Sequence, residues 1–276
     1  TWPQSDLEMM QLTLPQALAG EKPFHNYYMT VSGHMNYSFA GNAMSAKHRD
    51  EVADLDRSEA ARAYLACNME LDQALEYTIK TLEEAGELVS DNGKLTVWIQ
   101  SQIHPNEPAA GEGALVMVSD LCGSYGEEVL DDVNVIVIPR INPDGSYLFT
   151  RSTYQGFDMN RDHMALKAPE LAYLHTAYQY FMPEVVLDGH EFTFYGVTED
   201  GYMKNADDMQ STPASSLNND PLVNQLAEEA VDGLHKNATD SGLRVYHYGT
   251  TVNNPNGRAY YGLYNSISIL VETRRP

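Results

Sequence analysis

The strongest constraint on the fold is an alternation of short, mainly apolar runs with longer helix-like stretches. Residues 95–100 (Leu-Thr-Val-Trp-Ile-Gln), 133–138 (Val-Asn-Val-Ile-Val-Ile), 184–187 (Glu-Val-Val-Leu) and 267–271 (Ile-Ser-Ile-Leu-Val) read as buried strands. Between them, residues 56–87, 108–118, 169–181 and 221–236 read as helices, three of them opened by a proline suited to a first helical turn. Residues 60, 64, 67, 71 and 75 recur at helical spacing and predict the buried face of the first helix. Strands alternating with helices predict an α/β fold, a three-layer sandwich with a mixed, largely parallel central sheet and helices on both faces. Residues 1–90 read as a less regular lead-in or accessory segment packed on a catalytic domain spanning 91–276.

Composition narrows the function. Lys and Arg number 17 against 39 Asp and Glu, a net charge of −22. Such a field repels phosphate backbones and anionic lipid, so nucleic acid is not an expected partner. No apolar run approaches the ~20 residues of a membrane span. The two cysteines, Cys67 and Cys122, are too few for a disulfide scaffold and read as two buried thiols.

In parallel sheets, ligand groups sit just past the carboxyl ends of strands. Here every strand exit delivers polar or turn-forming residues: His104-Pro105-Asn106-Glu107-Pro108, Arg140 to Gly145, Asp188-Gly189-His190-Glu191, and Glu272-Thr273-Arg274-Arg275. Two histidines and a glutamate are usual donors to a catalytic zinc with one open position. His104 and Glu107 lie within one turn, and His190 supplies a third donor from a distant segment. Each residue alone also reads as an ordinary structural group. The remaining seven histidines, His163 and His175 among them, lack this context and read as structural or surface residues. Asn142-Pro143-Asp144-Gly145 reads as turn chemistry.

Taken together, His104-x-x-Glu107, Asn142-Pro-Asp-Gly145, Arg151, Asp158-Met-Asn160-Arg161, Asp188-Gly-His190 and Glu272 resemble the zinc metallocarboxypeptidases of the carboxypeptidase A type, in order and approximate spacing over residues 95–274. The resemblance implies one zinc per chain, held by His104, Glu107 and His190. It implies Glu272 as general base and acid, Arg151 as the oxyanion partner, and Asn160 and Arg161 as the grip on a substrate's terminal carboxylate. Asp158 would accept a hydrogen bond from His104. Tyr248 best matches the family's capping tyrosine. Arg258 falls in the specificity region, where it would read an acidic side chain or a second carboxylate, as in diaminopimelate-containing cell-wall peptides.

The implied activity is removal of a C-terminal residue from peptides with a free carboxylate. Two other readings fit the same motifs: a zinc deacylase of the aspartoacylase or succinylglutamate desuccinylase kind, and a non-catalytic binding domain on the same fold. The family's habits and the lack of an initiator Met suggest export to periplasm or medium. The chain stops four residues after Glu272, where typical members continue into a further helix.

Overall fold

The computed structural model describes residues 4–20, 26–86, 92–192, 207–249 and 255–275. The chain divides into two compact units, Thr1–Asn92 and Gly93–Pro276.

The first unit contains helices α1 (Asp6–Leu18), α2 (Ala43–Lys47) and α3 (Glu59–Glu84). Ser5 caps α1, and the buried Asp6 carboxylate accepts from the Val31 and Ser32 backbone N–H groups, both at 2.9 Å. This end of the chain is therefore more regular than its polar sequence suggests. In α3 the buried positions are Ala63, Ala66, Cys67, Glu70 and Ala74, whereas Tyr64 and Leu75 are exposed. The buried face is thus rotated from the expected one. Small alanines let α1 and α2 approach closely, and Glu70 is held inside by Lys47 Nζ at 2.6 Å and His48 Nε2 at 2.7 Å.

The second unit is built on β1 (Leu95–Ser101), β2 (Val133–Ile138), β3 (Val185–Phe192), β4 (Met209–Pro213), β5 (Val245–His247) and β6 (Ile267–Arg274). The sheet order is β2-β1-β3-β6-β4-β5. The four strands β2, β1, β3 and β6 run parallel, β4 is antiparallel to β6, and β5 is parallel to β4. The expected mixed, largely parallel sheet is present. Strands β4 and β5 were not foreseen, because Met209-Gln-Ser-Thr-Pro213 carries no apolar run and β5 has three residues. Strands β3 and β6 continue past their expected ends, so His190 and Glu272 lie on strands rather than after them.

Helices α4 (Pro108–Leu121), α5 (Ser124–Val129), α6 (Pro143–Leu148), α7 (Pro169–Phe181), α8 (Pro221–Asp240) and α9 (Gly257–Leu263) connect the strands. Strand alternation assigns their sides. Gly189 faces α4, where an added Cβ would stand 3.0 Å from Ala110 Cβ; Ser101, its register partner, bonds Ala110 O. Trp98, Gln100, Asp188, His190, Leu270 and Glu272 share the opposite face by register. There Trp98 packs with Tyr178 of α7 and Tyr261 of α9 in the core cluster. Helices therefore cover both faces. The Asn142-Pro-Asp-Gly145 segment is a helix start: Asn142 Oδ1 caps α6 by accepting from Gly145 N at 3.0 Å. Gly145 is required, since a Cβ would stand 2.5 Å from Ser152 O and 2.7 Å from Pro105 of the loop after β1. Neither cysteine is in a disulfide; Cys67 is buried as expected, but Cys122 is exposed.

Candidate metal centre

The loop from β1 to α4 turns sharply, with Glu107 N donating to His104 O at 3.0 Å. Glu107 occupies the cap position of α4 but makes no capping bond. Its carboxylate points instead at two imidazoles. Glu107 Oε1 lies 3.1 Å from His104 Nδ1, and Oε2 lies 2.9 Å from His190 Nδ1. The two Nδ1 atoms are 3.1 Å apart. His104, Glu107 and His190 are all buried, and their donor atoms lie within 4.8 Å of one another. Tetrahedral zinc with bonds of about 2.0–2.1 Å separates its ligands by about 3.3 Å. One carboxylate and two imidazoles at nearly that spacing fit a zinc ion.

Behind each imidazole stands a carboxylate. His104 Nε2 lies 3.2 Å from Asp158 Oδ1, and His190 Nε2 lies 3.1 Å from Asp188 Oδ2. This leaves both Nδ1 atoms for an ion and orients both rings. Burial pushes the carboxylates of Glu107, Asp158 and Asp188 up, but neighbouring charges and hydrogen-bond donors outweigh it. His104 and His190 hold Glu107 well below the usual range, and His104 and Arg151 do so for Asp158; His190 and Gln100 lower Asp188. His190 shows the reverse. Burial disfavours its charged form, yet Asp188 and Glu107 raise its pKa to about 10 in the metal-free protein.

Glu272 is the register partner of His190 on the neighbouring parallel strand, facing the same side. Burial, with the charges of Glu107 and Asp188, raises its pKa. Arg151 reaches the ligands directly: Nη1 donates to Glu107 Oε1 at 3.3 Å and Nε to Asp158 Oδ2 at 2.9 Å. Asn160 is buried and internally engaged. Its Oδ1 accepts from Gly257 N at 2.9 Å, and its Nδ2 lies 3.3 Å from His190 Nε2. These contacts place the Asn160 side chain between His190 and the start of α9. Arg161 is exposed and donates to Asn160 O at 2.7 Å. Arg258 is 4% exposed, with Nη1 buried and lacking a hydrogen-bond partner. Burial lowers its pKa, while Tyr248, Asp188 and Glu272 act on it electrostatically in the opposite sense. Tyr248 follows β5 and is anchored by its backbone N–H on Ser211 O.

Two elements of the site receive no role from the motifs that contain them. Asp188 is one; its place two residues before His190 on a strand puts both side chains on one face, a signal the sequence does carry. The other is a clamp on the ligand loop. Glu191 accepts from Ala109 N and from Arg275 Nε at 3.1 Å, and Arg275 also donates to Asn106 O.

Comparisons with known proteins agree with this geometry. Residues 45–178 match the family model described as zinc carboxypeptidase. Carboxypeptidase 2 of Trichophyton rubrum is 29% identical over 272 residues, covering 89% of this chain and 50% of that protein. The chain thus spans about half the length of the curated relatives it matches. Among solved structures, a metallo-carboxypeptidase from Burkholderia cenocepacia superposes with TM-score 0.54 at 19% identity, over 68% of this chain and 50% of that one. A metallo-carboxypeptidase from Pseudomonas aeruginosa, in complex with (2-guanidinoethylmercapto)succinic acid, gives TM-score 0.50 at 14% identity, over 67% and 50%. Among the described residues no helix is long and apolar enough to cross a membrane.

Proposed function

We propose, from the similarity of this chain to the zinc metallocarboxypeptidases, that it removes the C-terminal residue from peptides bearing a free terminal carboxylate. The observation that carries the reading is the buried His104–Glu107–His190 triad with Glu272 beside it on the next strand. Zinc bound there would supply a Lewis acid for the scissile carbonyl and acidify bound water.

The residues divide the remaining work. Glu272, with its raised pKa, accepts a proton from the attacking water and returns it to the leaving amine. Arg151, part-exposed beside the ligands, offers guanidinium N–H groups to the oxygen on which negative charge develops. Asn160 and Arg161 grip the terminal carboxylate, the guanidinium through two parallel N–H bonds. Asn160 also ties Gly257, and so the start of α9, to the site through its Oδ1. Arg258 offers a buried guanidinium with a vacant donor, which suits a second carboxylate on the departing residue, as in an acidic or diaminopimelate-type end group. Tyr248 caps the substrate. Residues 1–90 serve as an accessory segment to the catalytic residues 91–276. Export to periplasm or medium is part of the proposal and predicts the native protein outside the cytoplasm.

The test is hydrolysis of N-blocked dipeptides by zinc-loaded protein, each with a free or amidated C-terminus. Cleavage of the free-carboxylate forms alone, abolished by a chelator, is the expected result. Preference for acidic end groups that disappears in Arg258→Ala supports the specificity reading, and an unchanged preference overturns it. Turnover of acyl-amino acids without peptide cleavage would point to the deacylase, and no turnover with zinc bound would point to a binding role.

A further inference from the structure

Behind His190 a hydrogen-bonded chain runs from the metal site into the hydrophobic core. His190 Nε2 meets Asp188 Oδ2 at 3.1 Å; Gln100 Nε2 donates to Asp188 Oδ1 at 2.8 Å. Gln100 Oε1 accepts from Trp98 Nε1 at 3.0 Å and from Tyr261 Oη at 2.7 Å. Trp98, Gln100, Asp188 and Tyr261 are fully buried, and His190 is 3% exposed. Trp98 and Tyr261 belong to the main core cluster.

The chain has a direction, and one residue sets it. An indole N–H can only donate. Gln100 must therefore turn its oxygen towards Trp98 and its NH₂ towards Asp188. Asp188 Oδ1 must then accept, which leaves Oδ2 as the anionic acceptor for His190. A proton on His190 Nε2 makes that bond charge-assisted and leaves the lone pair on Nδ1, where Glu107 and His104 Nδ1 converge. The 3.3 Å approach of Asn160 Nδ2 to the same nitrogen is the weaker competitor.

We propose that Trp98, Tyr261, Gln100 and Asp188 form a directional relay that fixes the tautomer and orientation of His190, so that Gln100 and the two core aromatics are positioning residues for the metal. This rests on the zinc reading above but needs no peptide substrate to test. Asp188→Asn reverses the direction: its carboxamide oxygen takes the Gln100 donor, and its NH₂ then donates to His190 Nε2, driving the proton to Nδ1.

The experiment is zinc affinity by chelator competition, set against the melting temperature of the zinc-free protein. Asp188→Asn is expected to weaken zinc by about 10–100-fold, the range for loss of such supporting bonds. Tyr261→Phe should cost less than about threefold, because Trp98 still orients Gln100. Adding Trp98→Phe to Tyr261→Phe removes both donors and should fall between these values. Zinc affinity within twofold of wild type in Asp188→Asn and in the double variant overturns the relay. If Asp188→Asn does not fold, the double variant decides alone; a loss of zinc-free melting temperature in it with unchanged zinc affinity also overturns the relay. Wild-type protein that binds no zinc removes the zinc reading itself, a different result from zinc-binding variants that match wild type.

Discussion

The second unit holds two buried histidine pairs of nearly the same geometry and opposite chemistry. His104 and His190 approach at 3.1 Å between ring nitrogens, and His163 and His175 at 2.9 Å. All four are 3–4% exposed. The first pair is surrounded by Glu107, Asp158 and Asp188. The second is enclosed by aromatic rings: His175 stacks on Tyr260 at 3.8 Å, and His163 lies edge-on to Tyr261. Carboxylates raise the proton affinity of His190, whereas burial depresses that of His163 to about 3 and of His175 to about 4. Burial alone thus makes a neutral, proton-sharing pair. Carboxylates in contact raise the proton affinity of His190 and make its pair a fit for a metal cation.

The largest effect expected from this contrast is on metal content. His190→Ala should abolish stoichiometric zinc, and zinc at one per chain in that variant would show the ligand set to be wrong. Glu272→Gln comes next. It should keep zinc and lower kcat by about 10²–10⁴-fold, the usual contribution of a positioned proton carrier. Near-normal turnover with zinc retained would remove Glu272 from the chemistry. His175→Phe sharpens the comparison from the other side. It deletes one buried hydrogen bond, worth about 1 kcal/mol, and should leave zinc affinity within twofold. A zinc loss as large as that of His190→Ala would mean that the two pairs are not independent.

The same contrast explains what could be read from the sequence. The first histidine pair announces itself, because His104 and Glu107 lie three apart at a strand exit. Strands β1 and β2 are legible from their apolar runs. The apolar pattern ends early in β3 and β6, where Asp188, His190 and Glu272 replace hydrophobic residues while backbone pairing continues, so function masks the strand. In α3 the rotated face has a similar cause: it is built of small alanines and the buried Glu70, which an apolar pattern does not mark. Asn160 shows the limit of motif transfer. The motif locates the residue, but only the fold shows that Gly257 N takes its Oδ1. His163 and His175 are twelve apart on either side of a helix start, and no local pattern brings them together.

The smallest expected effect is on stability against pH, and its window separates the pairs. His163 and His175 have folded pKa values below the unfolded value of about 6.5. As pH falls below that value, the unfolded chain binds protons that the folded pair refuses. Stability is therefore complete above about pH 6.5 and is lost as pH falls towards 4, by up to about 1.4 kcal/mol per pH unit for each proton. His235, also lowered by burial, and Glu272, raised, act in the same window but are common to wild type and variant and drop out of their comparison; the groups around the first pair act elsewhere. Glu107, Asp158 and Asp188 have lowered folded values, so their contributions are lost only as pH falls below about 4.5. His190, raised in the metal-free protein, contributes stability that is complete below about pH 6.5 and lost as pH climbs towards about 10. Between about pH 4.5 and 6.5 the aromatic-enclosed pair dominates the contrast. Urea unfolding of zinc-free wild type and His175→Phe at several pH values in that window should give slopes that differ by about one proton, with the variant flatter. Equal slopes would show that His175 is not held neutral, and the division of the two pairs by their surroundings would fail on its second member.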